Sequence, residues 1–67
     1  MPLSEMQLIV LAAVHKDRVA HIPSMREPWR QEVITLGMME PPLVEAMGDV
    51  VVTTDQGEAA LRAAKMI

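Results

Sequence analysis

The chain has 67 residues, 51% of them apolar, 22% charged, with a net charge of −3 and no cysteine. That length holds one small domain (residues 1–67), and the absence of cysteine excludes both a disulfide framework and a thiolate metal site. The longest apolar run, Leu8 to Val14, is far short of the ~20 residues of a membrane span.

Ser4-Glu5-Met6-Gln7 has capping-box spacing, with Leu3 and Leu8 placed as a hydrophobic staple, so a helix is predicted over Leu3–Lys16. At 100° per residue, Met6, Ile9, Val10 and Ala13 form one apolar stripe, widened by Val14. Leu8 and Leu11 fall on another side. A helix apolar on two sides needs either a central position or a second partner. In so short a chain the expectation is a homodimer through Leu8 and Leu11.

Asp17 and Arg18 end the pattern, and Val19–Ile22 reads as a brief strand or extended connector before Pro23. The second helix starts either at Ser24, with an early Pro28, or from a cap near Glu27. Trp29, Val33 and Leu36 then lie at i, i+4, i+7. Trp29 is expected to be buried against the first helix, among Ile9, Val10 and Ala13. Gly37 is the expected C-terminal stop.

Residues 42–47 read equally as a strand turning through a type II′ Gly48-Asp49 loop and as a short helix opened by proline. Val50–Thr53 is a strand. Thr54 caps a last helix, Asp55–Met66, with Asp55 and Glu58 at its positive end and Arg62 and Lys65 at its negative end.

Leu36-Gly37-Met38-Met39 followed by a strand and by Thr54-x-x-Gly57-x-x-x-Leu61 resembles the winged-helix superfamily of bacterial and phage regulators. Members often end the recognition helix in a Leu-Gly-Leu-Ile-like run and leave the wing through a Thr-x-x-Gly-x-x-x-Leu helix start. The resemblance covers about the last half of the chain and implies an α+β domain of about three helices with a short β-hairpin or single strand pair. Members also fit a separate helix before the recognition helix, where this chain has only residues 17–27. The family's wing is normally basic, whereas this one carries Glu45 and Asp49.

Charge is unevenly distributed. Residues 31–61 hold Glu32, Glu40, Glu45, Asp49, Asp55 and Glu58 and no basic group, whereas Lys16, Arg18, Arg26 and Arg30 all lie in the first thirty. An acidic middle is a poor match for a phosphate backbone. The preferred reading is therefore a cytoplasmic, non-catalytic module that binds a protein with a basic contact surface, using Met39, Glu40, Glu45, Met47 and Asp49. The competing reading is a DNA-binding regulator using Arg18, Arg26, Arg30 and Gln31, residue types suited to guanine, adenine and phosphate. His15, Asp17 and His21 have no metal-ligand spacing. Ser4 and Ser24 read as caps rather than nucleophiles, and three isolated glycines make no phosphate loop. Neither a cofactor nor an enzymatic role is expected. With no basic region ahead of an apolar stretch at Met1–Glu5, neither is a secretory signal.

Overall fold

A computed structural model describes residues 3–67. In chain order it contains α1 (Glu5–Asp17), β1 (Ala20–His21), a 3₁₀ turn (Ile22–Ser24), α2 (Trp29–Gly37), β2 (Val44–Met47), β3 (Val50–Thr53) and α3 (Asp55–Ala63). The strands form one antiparallel sheet in the order β1-β3-β2. This is a small α+β domain of three helices. Its hairpin is widened by β1, which pairs Ala20 with Val51 and His21 with Val50.

The local signals of α1 act as their chemistry requires. Ser4 Oγ accepts from the Gln7 N–H at 3.1 Å, and Gln7 Oε1 accepts from the Ser4 N–H at 3.0 Å. Each satisfies a donor that the helix start leaves without an intrahelical partner. α1 stops where Arg18 adopts φ 65. α2 starts later than a Ser24 start would place it, with Pro28 at the cap and Trp29 first in the helix. Gly37 is the last helical residue and not a left-handed stop, since Gly48 is the glycine with positive φ.

Residues 44–47 are strand. Met47 pairs with Val50 across a two-residue loop in which Gly48 takes φ 67 and Asp49 does not turn positive. That pattern fits the type II′ turn, whose twist matches the flanking strands. α3 ends three residues before Met66. Lys65 at φ 59 lets its N–H reach the Arg62 carbonyl (3.1 Å) and the Met66 N–H reach the Leu61 carbonyl (2.9 Å). These two bonds are the Schellman pattern that closes a helix C-terminus.

The core draws on every regular element: Val10, Leu11 and Val14 from α1, Ala20 from β1, Val33 and Leu36 from α2, Val44 and Val51 from the hairpin, and Leu61 from α3, with Leu43 just before β2. The amphipathic stripe of α1 is thus displaced from the expected one. Leu11 is completely buried, whereas Ile9 is exposed. The cause is tertiary: α1 packs against α2, α3 and β3 together, so it is covered from more than one side within a single chain. Leu11 is a core residue, completely buried within the chain and closed to a dimer contact, whereas Leu8 is half-buried.

Trp29 also departs from expectation. It shares the direction of Val33 and Leu36 but sits on the first turn of α2, past the edge of the core, and stays 37% exposed. Leu11→Ala should therefore cost about 2–5 kcal/mol, as for other buried leucines. Trp29→Ala should cost nearer ~1–2 kcal/mol, because part of its surface is wet already. Urea unfolding of the two variants checks the order.

α3 meets the hairpin at Gly57. A Cβ there would collide with the Leu43 carbonyl and lie 2.8 Å from Thr53 Cγ2. Alanine gains about 1 kcal/mol of helix propensity over glycine, but overpacking costs about 1–3 kcal/mol. Here the obstacle is backbone, so the steric cost should win. Gly57→Ala is expected to lower the thermal midpoint, and calorimetry of that single variant measures the balance.

Candidate functional site

The site is built on α2 and the hairpin that follows it. Along α2, Val33 and Leu36 face the core, which turns Gln31, Ile34, Thr35 and Met38 towards the opposite side. Thr35 Oγ1 donates to the Gln31 carbonyl at 3.0 Å, so its hydroxyl is taken up by its own helix. Ile34 is 45% exposed and Met38, just past the helix end, is 78% exposed.

Strand alternation sorts the hairpin. Val44 pairs with Thr53 and Ala46 with Val51 on the inward face; Glu45 pairs with Val52 and Met47 with Val50 on the outward one. Met47 is 54% exposed, and Glu40, Glu45 and Asp49 are exposed. The Asp49 carbonyl accepts from the Ile22 N–H at 2.8 Å, which ties the tip of the hairpin to the 3₁₀ turn. Among the expected contact residues, Met39 is the one misplaced. It is half-buried and packs against the core, while its neighbour Met38 points outward. Two adjacent methionines leaving a helix must diverge, and hydropathy does not distinguish them.

Between α2 and the hairpin lies an open groove of about 530 Å³, its walls formed by Val33, Ile34, Pro42, Val44, Ala46 and Val51. Sequence patterning missed this groove. The available signal was Ile34, an aliphatic residue on the wrong side of the Val33–Leu36 stripe. A second groove of about 500 Å³ lies between the C-terminal half of α1, β1 and the start of α2. Ala13, Val19, Met25 and Trp29 line it, with Asp17 and Arg26. A third, polar depression of about 550 Å³ is lined by His15, Lys16, Arg18, Thr53 and Glu58.

The arginines of the competing reading do not converge on α2. Arg18 lies in the α1–β1 turn, Arg26 in the loop before α2, and Arg30 on the first turn of α2, 3.4 Å from Glu27. Gln31 follows Arg30 directly and so projects about 100° away from it around the helix. Among the described residues, no three His, Asp or Glu side chains gather as a metal site, and no helix is long and apolar enough to cross a membrane. His21 Nδ1 is instead hydrogen-bonded to Ser24 Oγ at 2.9 Å. Set beside known protein families, characterised proteins and solved structures, the chain matches none of them.

Trp29 is the only aromatic residue and stands at the edge of the second groove. Its fluorescence should be quenched by acrylamide to a degree between free and fully buried tryptophan. Complete protection would place Trp29 in the core after all.

Proposed function

We propose that this chain is a small, non-catalytic interaction module of the cytoplasm, with a winged-helix-like layout, that binds a protein partner carrying a basic surface. The element order, with a hairpin following α2 and paired to β1, supports the winged-helix comparison. One observation carries the functional reading. Ile34, Met38 and Met47 are exposed, as are Glu40, Glu45 and Asp49, and residues 31–61 contain no lysine or arginine. Exposed flexible thioethers among carboxylates suit an adaptable protein contact. They oppose a phosphate backbone, which gains its affinity from cations.

The competing reading, a DNA-binding regulator, rests on the exposure of Arg26, Arg30 and Gln31 around the start of α2 and of Arg18 after α1. Arg30 spends part of its charge on Glu27. The remaining cations are too few for the 6–10 phosphate contacts of a strong binder.

Charge exchange separates the two readings. Replacing Glu40, Glu45 and Asp49 by lysine should slow and weaken association with the native partner, most at low salt, since rim charges act through steering. Arg26→Ala with Arg30→Ala should change partner binding little. Duplex-DNA titration at low salt should give only weak binding to the parent chain. If the arginine variant alone loses DNA binding and the lysine variant gains it, with parent binding tight and salt-sensitive, the regulator reading replaces this one. All these positions are exposed, so both variants should keep the parent circular dichroism spectrum.

A further inference from the structure

We infer that the polar depression at the end of α1 is a binding site for a single phosphoryl group, free or carried on a small molecule. His15, Lys16 and Arg18 line it from α1 and the turn that follows, Thr53 from β3 and Glu58 from α3. It shares no residue with the acidic surface proposed above and is tested separately. Three basic side chains meet there although the chain carries a net charge of −3. The α2–hairpin groove has no basic side chain, and the α1–α2 groove sets Arg26 beside Asp17.

The charges in the depression are available. Among the described residues the ion pairs are Arg30–Glu27 and Arg62–Glu58, so neither Lys16 nor Arg18 has a carboxylate partner. Glu58 is the only carboxylate in the lining, and Arg62 Nη2 already donates to its Oε1 at 2.8 Å. Two unpaired cations thus stand beside a neutralised pair, and a phosphate monoester carries about −1.5 to −2 charges at pH 7. The half-buried His15 ring adds a hydrogen-bond donor. The dipole of α1 accounts for a preference for His15 and Lys16 in its last turn. It does not account for Arg18, which lies beyond that turn.

Arg18 is held in a conformation that its side chain opposes. Its backbone has φ 65 and ψ −48, and across it the Val19 N–H donates to the Asp17 carbonyl at 2.7 Å. This is a γ-turn of the rare, strained hand, which glycine would adopt without the Cβ penalty. Such residues persist where their surroundings hold them, and they gather at ligand sites. The turn leads into β1, whose Ala20 pairs with Val51, so Arg18 stands level with Thr53. The Thr53 hydroxyl oxygen is enclosed without a hydrogen-bond partner, which is uncommon for a buried polar group. Unpaired cations beside an unanswered hydroxyl suit a ligand made of acceptor oxygens.

One phosphoryl group, and not a run of them, fits this arrangement. Arg26 lines the α1–α2 groove and Arg30 pairs with Glu27, so no track of cations leads from the depression along a nucleic-acid backbone. A volume of about 550 Å³ has room for the phosphoryl group and part of a small molecule that carries it.

The test titrates the intact chain with inorganic phosphate and with phenyl phosphate, followed by amide resonances, with chloride at matched ionic strength as the control. Both should shift His15, Lys16, Arg18 and Thr53 and bind about tenfold tighter than chloride, as charge-assisted hydrogen bonds imply. The tighter of the two identifies the source as free or esterified. Arg18→Gly relieves the turn, so its thermal midpoint should equal or exceed the parent's while phosphate binding falls about tenfold. Lys16 is exposed, so Lys16→Gln keeps the test decisive where Arg18→Gly fails to fold, and it should weaken phosphate by a similar factor. Undiminished phosphate binding in either folded variant overturns the site. So do shifts scattered over all the lysines and arginines with no preference over chloride, the mark of an adventitious ion only. Tight duplex-DNA binding that needs Arg26 and Arg30 as well as Arg18 overturns the single-phosphoryl site in favour of the regulator.

Discussion

Thr54 is the point from which the second half of the fold is organised. Its N–H donates to the Leu43 carbonyl (3.1 Å), its hydroxyl donates to the Pro42 carbonyl (2.7 Å), and the same oxygen accepts from the Gly57 N–H (3.1 Å). One residue thus ends β3, caps α3 and holds the strand that enters the hairpin. Leu43 extends the joint the other way, donating its N–H to the Leu36 carbonyl at 3.1 Å. These bonds give partners to backbone groups that the connections from α2 to the hairpin and on to α3 would otherwise leave without them. Gly57 completes the joint because α3 crosses the Leu43 carbonyl too closely for any Cβ. The spacing Thr54, Gly57, Leu61 thereby gains a physical meaning. It comprises a cap, a close crossing, and a leucine one turn on that fills the core beneath them.

The cap at Thr54 was legible because it is local and chemically distinctive, and so was the capping box of α1. What was not legible depends on what surrounds an element. Helical periodicity places Leu11 away from the stripe through Ile9 and Ala13, and nothing in α1 itself says that three neighbours will converge on it. Only their arrival decides that Leu11 is sealed and Ile9 left wet. Residues 44–47 were undecided for the same reason. Their composition suits a helix, and it is the hydrogen-bonded ladder to Val50–Thr53 that makes them a strand.

The candidate site divides along the same line. The acidity of residues 31–61 is a property of composition, and the exposure of Glu40, Glu45 and Asp49 follows from the ordinary cost of burying a charge. The apolar half of the site is a property of packing. Met38 and Met39 differ in exposure because the chain must turn after Gly37, which sends one outward and one onto the core. Gly37 and Val44 both line the groove, and a Cβ on Gly37 would meet Val44 Cγ2 at 3.5 Å, an ordinary contact.

The exposed carboxylates and Met47 of the proposed contact surface stand apart from the core, whereas the groove shares Val33, Val44 and Val51 with it. Among the described residues no charged or polar residue is fully buried, although the Thr53 hydroxyl oxygen is, and the apolar core closes around α1. Glu40, Glu45, Asp49 and Met47 make no contribution to it, and the two ion pairs, Arg30–Glu27 and Arg62–Glu58, are exposed and lie outside the proposed contact surface. A domain this small has little stability to lose, so a surface free of structural duties is the one place where charge and shape are able to vary without unfolding the chain. Ile34 and Ala46 stand at the boundary, on elements held by the core yet facing solvent. They inherit the rigidity of α2 and β2 without sharing in the burial. The proposed protein-binding reading rests on such held but exposed apolar positions together with the exposed carboxylates of the same segment.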